Sequence, residues 1–318
     1  MPASNPFSPH PLFRGGHLQT LAGFYWPTRQ PKYQATPHLL DVPGGDKIAL
    51  HDDQPPNWQA TDRVALLLHG LAGCHGSGYM WRLADRLCAR GIRCFRMDMR
   101  GTGASTGKAK LPGHAGRTED AEIAINWIAE QAPDAPLTMA GFSMGGNIAL
   151  GTAANASTKS IGNLQRCIAV CPPVDLSRCC SELRKGTGNF YDKYLIRFLV
   201  KKWQQTGGQL NGAAPRSIYE FDDQITAPLS GFRDAEDYYA NCSSGPRLTE
   251  IKLPAKLLAS KDDPVVAYSA TAAYKRSASV ELITTESGGH LGFLSTCGKV
   301  QDRRWMDWQL CEWIDSDW

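Results

Sequence analysis

The sequence predicts an α/β protein, a mostly parallel central sheet flanked by helices and interrupted by a helical cap. From residue 64 onward, short apolar runs rich in β-branched residues alternate with longer amphipathic stretches, the pattern of a parallel sheet with crossover helices. One connection breaks that rhythm: about 80 residues separate the run ending near Cys171 from the one starting near Ala255, where such loops normally take 2–6. Something is inserted there.

The strands are read at 64–69, 94–98, 137–142, 165–171, 255–259 and 281–284, and the helices between them at 79–90, 118–132, 145–156, 267–276 and 302–314. Residues 38–51 carry Gly44-Gly45 between two alternating segments and read as a hairpin. In the insertion, residues 190–203 are rich in aromatic and long aliphatic side chains with several Lys and Arg, which suggests helices covering a pocket. Residues 176–250 are therefore assigned to a cap or lid, residues 1–36 to an N-terminal arm, and residues 1–318 to a single domain. Trp305, Trp308 and Trp313 fall on the last helix and are expected to pack it against the sheet.

A chain of 318 residues with 42% hydrophobic and 20% charged content can bury a substantial core. The net charge of +3 is mild, and without a Lys/Arg run it points to no nucleic-acid or anionic-membrane footprint. The first residues lack the basic start and apolar stretch of a secretory signal, and no apolar run approaches the 20 residues of a membrane-spanning helix. The expectation is a cytoplasmic protein with no transmembrane segment. Ten cysteines are spread without a C-x-x-C, several in apparent core strands, and are expected as buried free thiols. Cys74, His75 and His69 match none of the usual zinc spacings, so no metal is expected.

The strongest chemical signal is Gly141-Phe142-Ser143-Met144-Gly145, a G-x-S-x-G between a strand and a helix. On such a turn the serine is held in a strained backbone conformation, flanking side chains two residues away would clash, and the helix aims its first N–H groups at developing negative charge. That is the nucleophile elbow of the α/β-hydrolase fold. A serine hydroxyl needs a base, itself oriented by an acid, in the chain order serine, acid, histidine. His290, in Ser287-Gly288-Gly289-His290-Leu291-Gly292, is the one histidine after His114. Asp262 and Asp263 both follow a strand; Asp263 is preferred because Val265 and Val266 suit an anchoring loop, leaving Asp262 to cap the turn or the next helix. The oxyanion hole is expected from the backbone N–H groups of Leu71 and Met144. His69 reads as a brace for the His69 to Gly73 loop. The glycine-rich stretch from Asp98 to Ser105 lacks both the P-loop Lys-Ser/Thr and the G-x-G-x-x-G spacing, so a structural loop is the better reading than a phosphate cradle.

Three stretches together resemble the YheT-like branch of the α/β hydrolases, a group assigned as carboxylesterases and related to lipid-acting hydrolases of animals. They are Phe13-Arg14-Gly15-Gly16-His17-Leu18-Gln19-Thr20, the His69 to Gly73 loop, and Asp262-Asp263-Pro264 with Gly288-Gly289-His290-Leu291-Gly292. The resemblance runs from about Pro11 to the last helix. It implies a Ser143, Asp263 and His290 triad with no metal and no organic cofactor. Arg14 and His17 are read as pinning the N-terminal arm. The expected function is hydrolysis of short-chain or lipid carboxylic esters through an acyl-enzyme. An acyltransferase or thioesterase would use the same triad, and a non-catalytic ligand-binding member of the fold is the reading from another class.

Overall fold

The structure is a computed structural model that describes residues 7–27, 32, 34–210, 212–296 and 303–318. Eight strands form one sheet in the order β1-β2-β4-β3-β5-β6-β7-β8. They are β1 (Thr36–Val42), β2 (Asp46–Asp53), β3 (Val64–Leu68), β4 (Arg93–Asp98), β5 (Leu137–Phe142), β6 (Leu164–Val170), β7 (Ala255–Ser260) and β8 (Val280–Thr285). The hairpin β1/β2 and the β2/β4 pair are antiparallel, and every other pairing is parallel. Gly44 and Gly45, at φ of +88° and +75°, make the hairpin turn in the left-handed region that favours glycine.

The side-chain period of two sorts each strand between two cores. Val64, Leu66 and Leu68 of β3 face one side, with Ile125 and Ile128 of α3 (Thr118–Gln131) and Leu150 and Ala153 of α4 (Met144–Asn155). Ala65 and Leu67 face the other, with Met80, Leu83 and Leu87 of α2 (Gly78–Cys88) and Leu310, Cys311 and Ile314 of α11 (Trp305–Asp315). Trp313 is buried in that second core. Trp305 packs on Phe7 and Phe293, and Trp308 lies under the Arg86 guanidinium.

All strands read from sequence are present, each within a residue or two at its ends. Helix α10 (Tyr268–Ala273) is shorter than the 267–276 expected, because Tyr274 turns extended and its hydroxyl donates to Asp175 at 2.9 Å. Position 302 of the last expected helix lies outside the described residues. Between β6 and β7 run α5 (Leu176–Leu183), α6 (Gly188–Gln205), α7 (Ile218–Phe221), a π-turn at Asp222–Thr226, α8 (Ala227–Leu229) and α9 (Ala235–Cys242). Asp175, Ser217 and Asp234 cap α5, α7 and α9 by accepting from backbone N–H groups. Ahead of the sheet, α1 (Gly16–Tyr25) is a helix that the apolar pattern did not announce. All nine described cysteines are free and six are buried; Cys297 lies outside the described residues.

The glycine-rich loop after β4 is built around buried ions. Arg100, fully buried, donates to both oxygens of Asp120 at 2.8 and 2.6 Å and to Asp46 and the Pro43 carbonyl at 3.0 and 2.8 Å. It ties the hairpin, α3 and the loop together. Removing one member leaves the other charges buried and uncompensated, which costs about 3–5 kcal/mol. Arg100→Leu is expected to lower the unfolding free energy by about that amount, read from urea denaturation followed by circular dichroism.

Candidate active site

Ser143 sits between β5 and α4 at φ +50° and ψ −120°, a strained conformation for a residue with a Cβ. The surroundings hold it there. Its N–H donates to the Val170 carbonyl at 2.8 Å, and its carbonyl accepts from Gly146 and Asn147. A Cβ at Gly141 would lie 2.1 Å from the Gly145 oxygen, and one at Gly145 would lie 2.4 Å from the Leu68 oxygen. Only glycine lets the turn, the next helix and β3 pack this closely.

Three side chains from three loops meet here. Ser143 Oγ lies 2.9 Å from His290 Nε2, and His290 Nδ1 lies 2.8 Å from Asp263 Oδ2. Asp263 Oδ1 accepts from the N–H groups of Val265 and Val266 at 2.8 and 2.9 Å, so the carboxylate is fixed by the loop that follows it. Asp262 does something other than cap a turn. Its Oδ1 accepts from Ser260 Oγ at 2.6 Å and from Gly289 N–H at 2.9 Å, bracing the loop that carries His290. Behind the pair, the Cys171 thiol, at a left-handed residue of φ +48°, faces Asp263; burial first and that carboxylate second push it well above the usual thiol range.

The histidine loop has its own clasp, which the sequence did not suggest. Gln19 of α1 is fully buried and donates to the carbonyls of Phe13 and Leu294 at 2.8 and 3.0 Å, while accepting from the Leu294 N–H at 2.7 Å. Thr20 Oγ1 accepts from the His290 N–H at 2.8 Å. Gly16 and Gly23 admit the loops themselves: a Cβ would fall 1.7 Å from the Asp262 carbonyl oxygen at the first and 2.5 Å from Gly292 Cα at the second. His17 stacks on Tyr191 of α6 and bonds its hydroxyl at 3.0 Å, so it does pin α1 to the inserted helices. Arg14 does not pin it; the side chain is exposed and finds no partner among the described residues.

Neither Leu71 nor Met144 gives its backbone N–H to an acceptor among the described residues, and both residues line the cavity in front of Ser143. Gly70, next to Leu71 in the chain, gives its N–H to the Tyr79 hydroxyl at 2.9 Å. His69 braces this loop from beneath, Nδ1 against the Gly70 carbonyl at 2.8 Å and Nε2 against the Met99 N–H at 3.3 Å. Burial holds its pKa down to about 4, so the ring is neutral. His75 goes elsewhere: with His51 it donates to Asp98 Oδ2, at 2.7 and 2.9 Å, and the two rings stack. Asp98 also accepts from the His75 and Ala104 N–H groups. Against the pull of burial, the His51 and His75 ring bonds first and the His75 N–H after them keep its carboxyl far below the usual range. A Cβ on Gly103 would lie 2.0 Å from that carboxylate. The Asp98 to Ser105 loop is thus wrapped around an internal anion of its own.

A cavity of about 630 Å³ opens over Ser143. Its floor is formed at Ser143 and His290, and its walls are apolar side chains of α5, α6 and α1, with Tyr238, Tyr239, Val265 and Val266. Among the described lining residues the one carboxylate is Asp222, which accepts from Tyr239 at 2.8 Å and is pushed up to about 6 by burial.

This geometry can be set beside known proteins. The family described as serine aminopeptidase, S33, matches residues 59–293. The chain belongs to that family. It is 29% identical, over 99% of its length and 94% of the other's, to "Putative esterase YheT" of Escherichia coli (strain K12). It is 28% identical to phospholipase ABHD3 of Homo sapiens, over 84% of this chain and 68% of that one. With the monoacylglycerol lipase of Saccharomyces cerevisiae (strain ATCC 204508 / S288c) it shares 24% over 91% and 66% of the two chains. Among solved structures, Est1E of Butyrivibrio proteoclasticus with ferulic acid bound superposes with a TM-score of 0.55 at 16% identity, covering 87% of this chain and 96% of that one. The 2,6-dihydroxy-pseudo-oxynicotine hydrolase gives 0.59 at 18%, covering 93% and 71%. The YheT-like resemblance and the α/β-hydrolase fold both hold, and the chain is a hydrolase by family. No helix among the described residues is long and apolar enough to cross a membrane.

Two outcomes follow. Gln19→Leu leaves the buried Leu294 N–H without an acceptor, while the Leu294 carbonyl keeps the His10 N–H at 2.9 Å; at about 1–3 kcal/mol for such a group, its thermal midpoint is expected to fall by several degrees in calorimetry. Between pH 6.5 and 4 the unfolded chain takes up a proton at His69 that the folded chain refuses, so this residue's contribution to stability is lost as pH falls through that window. His69→Asn is therefore expected to show a shallower drop in melting temperature from pH 7 to pH 4.5 than the parent.

Proposed function

We propose that this chain is a serine carboxylic ester hydrolase working through an acyl-enzyme. The observation that carries it is the unbroken relay from Ser143 Oγ to His290 Nε2, and from His290 Nδ1 to Asp263, at 2.9 and 2.8 Å. In this reading Ser143 attacks the ester carbonyl as His290 takes its proton. The oxyanion is received by the N–H groups of Met144 and Leu71, which no acceptor among the described residues takes. His290 returns the proton to the departing alcohol. Water, deprotonated by the same ring, then frees the acid, while Asp263 holds the imidazole with its proton on Nδ1.

The apolar walls favour an ester with a hydrocarbon acyl chain over a peptide. A peptide's free amino terminus is a cation, and a buried cation needs an opposing charge; the one carboxylate among the described lining residues, Asp222, already accepts from the Tyr239 hydroxyl and is pushed up to about 6 by burial. Relatives named as esterase, phospholipase and monoacylglycerol lipase are in keeping with this substrate class.

Ser143→Ala is expected to reduce turnover of p-nitrophenyl butyrate by about a thousandfold or more with an unchanged circular dichroism spectrum, and to abolish labelling by a fluorophosphonate. Asp263→Asn should lose about ten-thousandfold in kcat, and Asp262→Asn far less. Full activity in the Ser143 variant would sink the proposal.

A further inference from the structure

Seven of the ten exposed large hydrophobic side chains among the described residues lie on just two helices, α1 and α6. Six of these, Leu21, Phe24, Tyr25, Phe190, Tyr194 and Phe198, also line the cavity. They form its rim rather than a scatter of unrelated surface residues. Phe24 and Tyr25 are 72% and 68% exposed and Phe190 is 60% exposed, more than an aromatic ring keeps in water without a reason. The two helices meet through His17, which stacks on Tyr191 and bonds its hydroxyl at 3.0 Å.

On α6 this rim has a second row. Phe190, Tyr194 and Phe198 repeat every four residues, and Lys193, Arg197 and Lys201 repeat every four residues beside them, all exposed. Residues four apart stack along one side of a helix, so a stripe of rings runs next to a stripe of cations. Neither Lys193, Arg197 nor Lys201 has an ion-pair partner among the described residues, and none lines the cavity. Across α1 and α6 the one carboxylate, Asp192, is buried and accepts from the Ile218 N–H. The whole rim therefore presents apolar rings and positive charge, with no exposed acid on either helix.

We propose that the α1/α6 rim docks on an anionic lipid–water interface, with the rings entering the acyl boundary and the cations meeting lipid phosphates. This corrects the expectation of no anionic-membrane footprint, because Lys193, Arg197 and Lys201 are four residues apart and form a stripe on the helix rather than a run in the sequence. Aromatic residues and Lys or Arg are the residue types that hold a helix in such an interface. A second copy of the chain fits less well, because pairing this face with itself would bring its unpaired cations together. The docking stands independently of the chemistry. Its use, passing an ester from the lipid phase over the rim to Ser143, rests on the hydrolase reading.

The test floats full-length Ser143→Ala protein with vesicles of phosphatidylcholine alone and of phosphatidylcholine mixed equally with phosphatidylglycerol. Binding is expected to the mixed vesicles, to weaken in high salt, and to fall when Phe24 and Phe190 are both changed to Ser. Replacing Lys193, Arg197 and Lys201 by Gln in the same protein should lower affinity about fivefold per cation, on the order of a hundredfold in all. Those three changes in the parent protein should leave its rate on a soluble short-chain ester unaltered. The proposal is overturned if the protein stays with neither vesicle, if the Gln variant binds like its Ser143→Ala parent, or if light scattering shows the face occupied by a second copy. Vesicle binding by a chain that no fluorophosphonate labels would uphold the docking and remove the hydrolase reading alone.

Discussion

A loop rich in glycine does not by itself hold an imidazole within 2.9 Å of a hydroxyl, and the position of His290 depends on the clasp that α1 makes on it. Glycine gives the backbone its reach at the cost of conformational entropy. Gln19 and Thr20 offset that cost with bonds to Leu294 and to His290 itself, and Asp262 adds a third tether through Gly289. Small residues make the close approach possible, since Gly16 and Gly23 meet the backbone of the loops with no side chain between them.

The other half of the site is held by the opposite means. Ser143 is strained, and the strain persists because β3, β5, β6 and α4 converge on it with no room to relax. The serine is thus fixed by packing in the sheet's rigid centre, whereas the histidine is fixed by polar bonds at the sheet's edge. Asp263 stands between them, anchored by two N–H groups of its own loop. The loop that bears Leu71 follows the same economy of parts, with the neutral His69 ring below it and the Tyr79 hydroxyl beside it.

Much of this was legible in the residues. The central strands β3 and β5 announce themselves because they are buried on both faces and read as near-continuous apolar runs. The serine turn is legible because its sterics demand Gly141 and Gly145 by name, and the choice between Asp262 and Asp263 turned on the two valines whose N–H groups the carboxylate does receive. What could not be read was α1. Its buried face is Gly16, Gln19 and Gly23, two small residues and one amide, so the periodic apolar signal of a packed helix is missing. Asp262 escaped for a related reason, since its partner at Gly289 is a backbone group of a distant loop. Polar contacts between segments far apart in sequence leave no local pattern. The division of the inserted segment into several helices is not legible either, because the starts of α5, α7 and α9 are set by the caps Asp175, Ser217 and Asp234 rather than by composition.

The clasp also joins positions 275 residues apart, Gln19 and Leu294. During synthesis the first of these leaves the ribosome long before the second exists. The central strands and the serine turn are made before it, and the His290 ring is seated only once the segment around Leu294 closes on the first helix. Assembly of the Ser143–His290–Asp263 relay is in this way deferred until the segment around Leu294 has emerged and closed on α1.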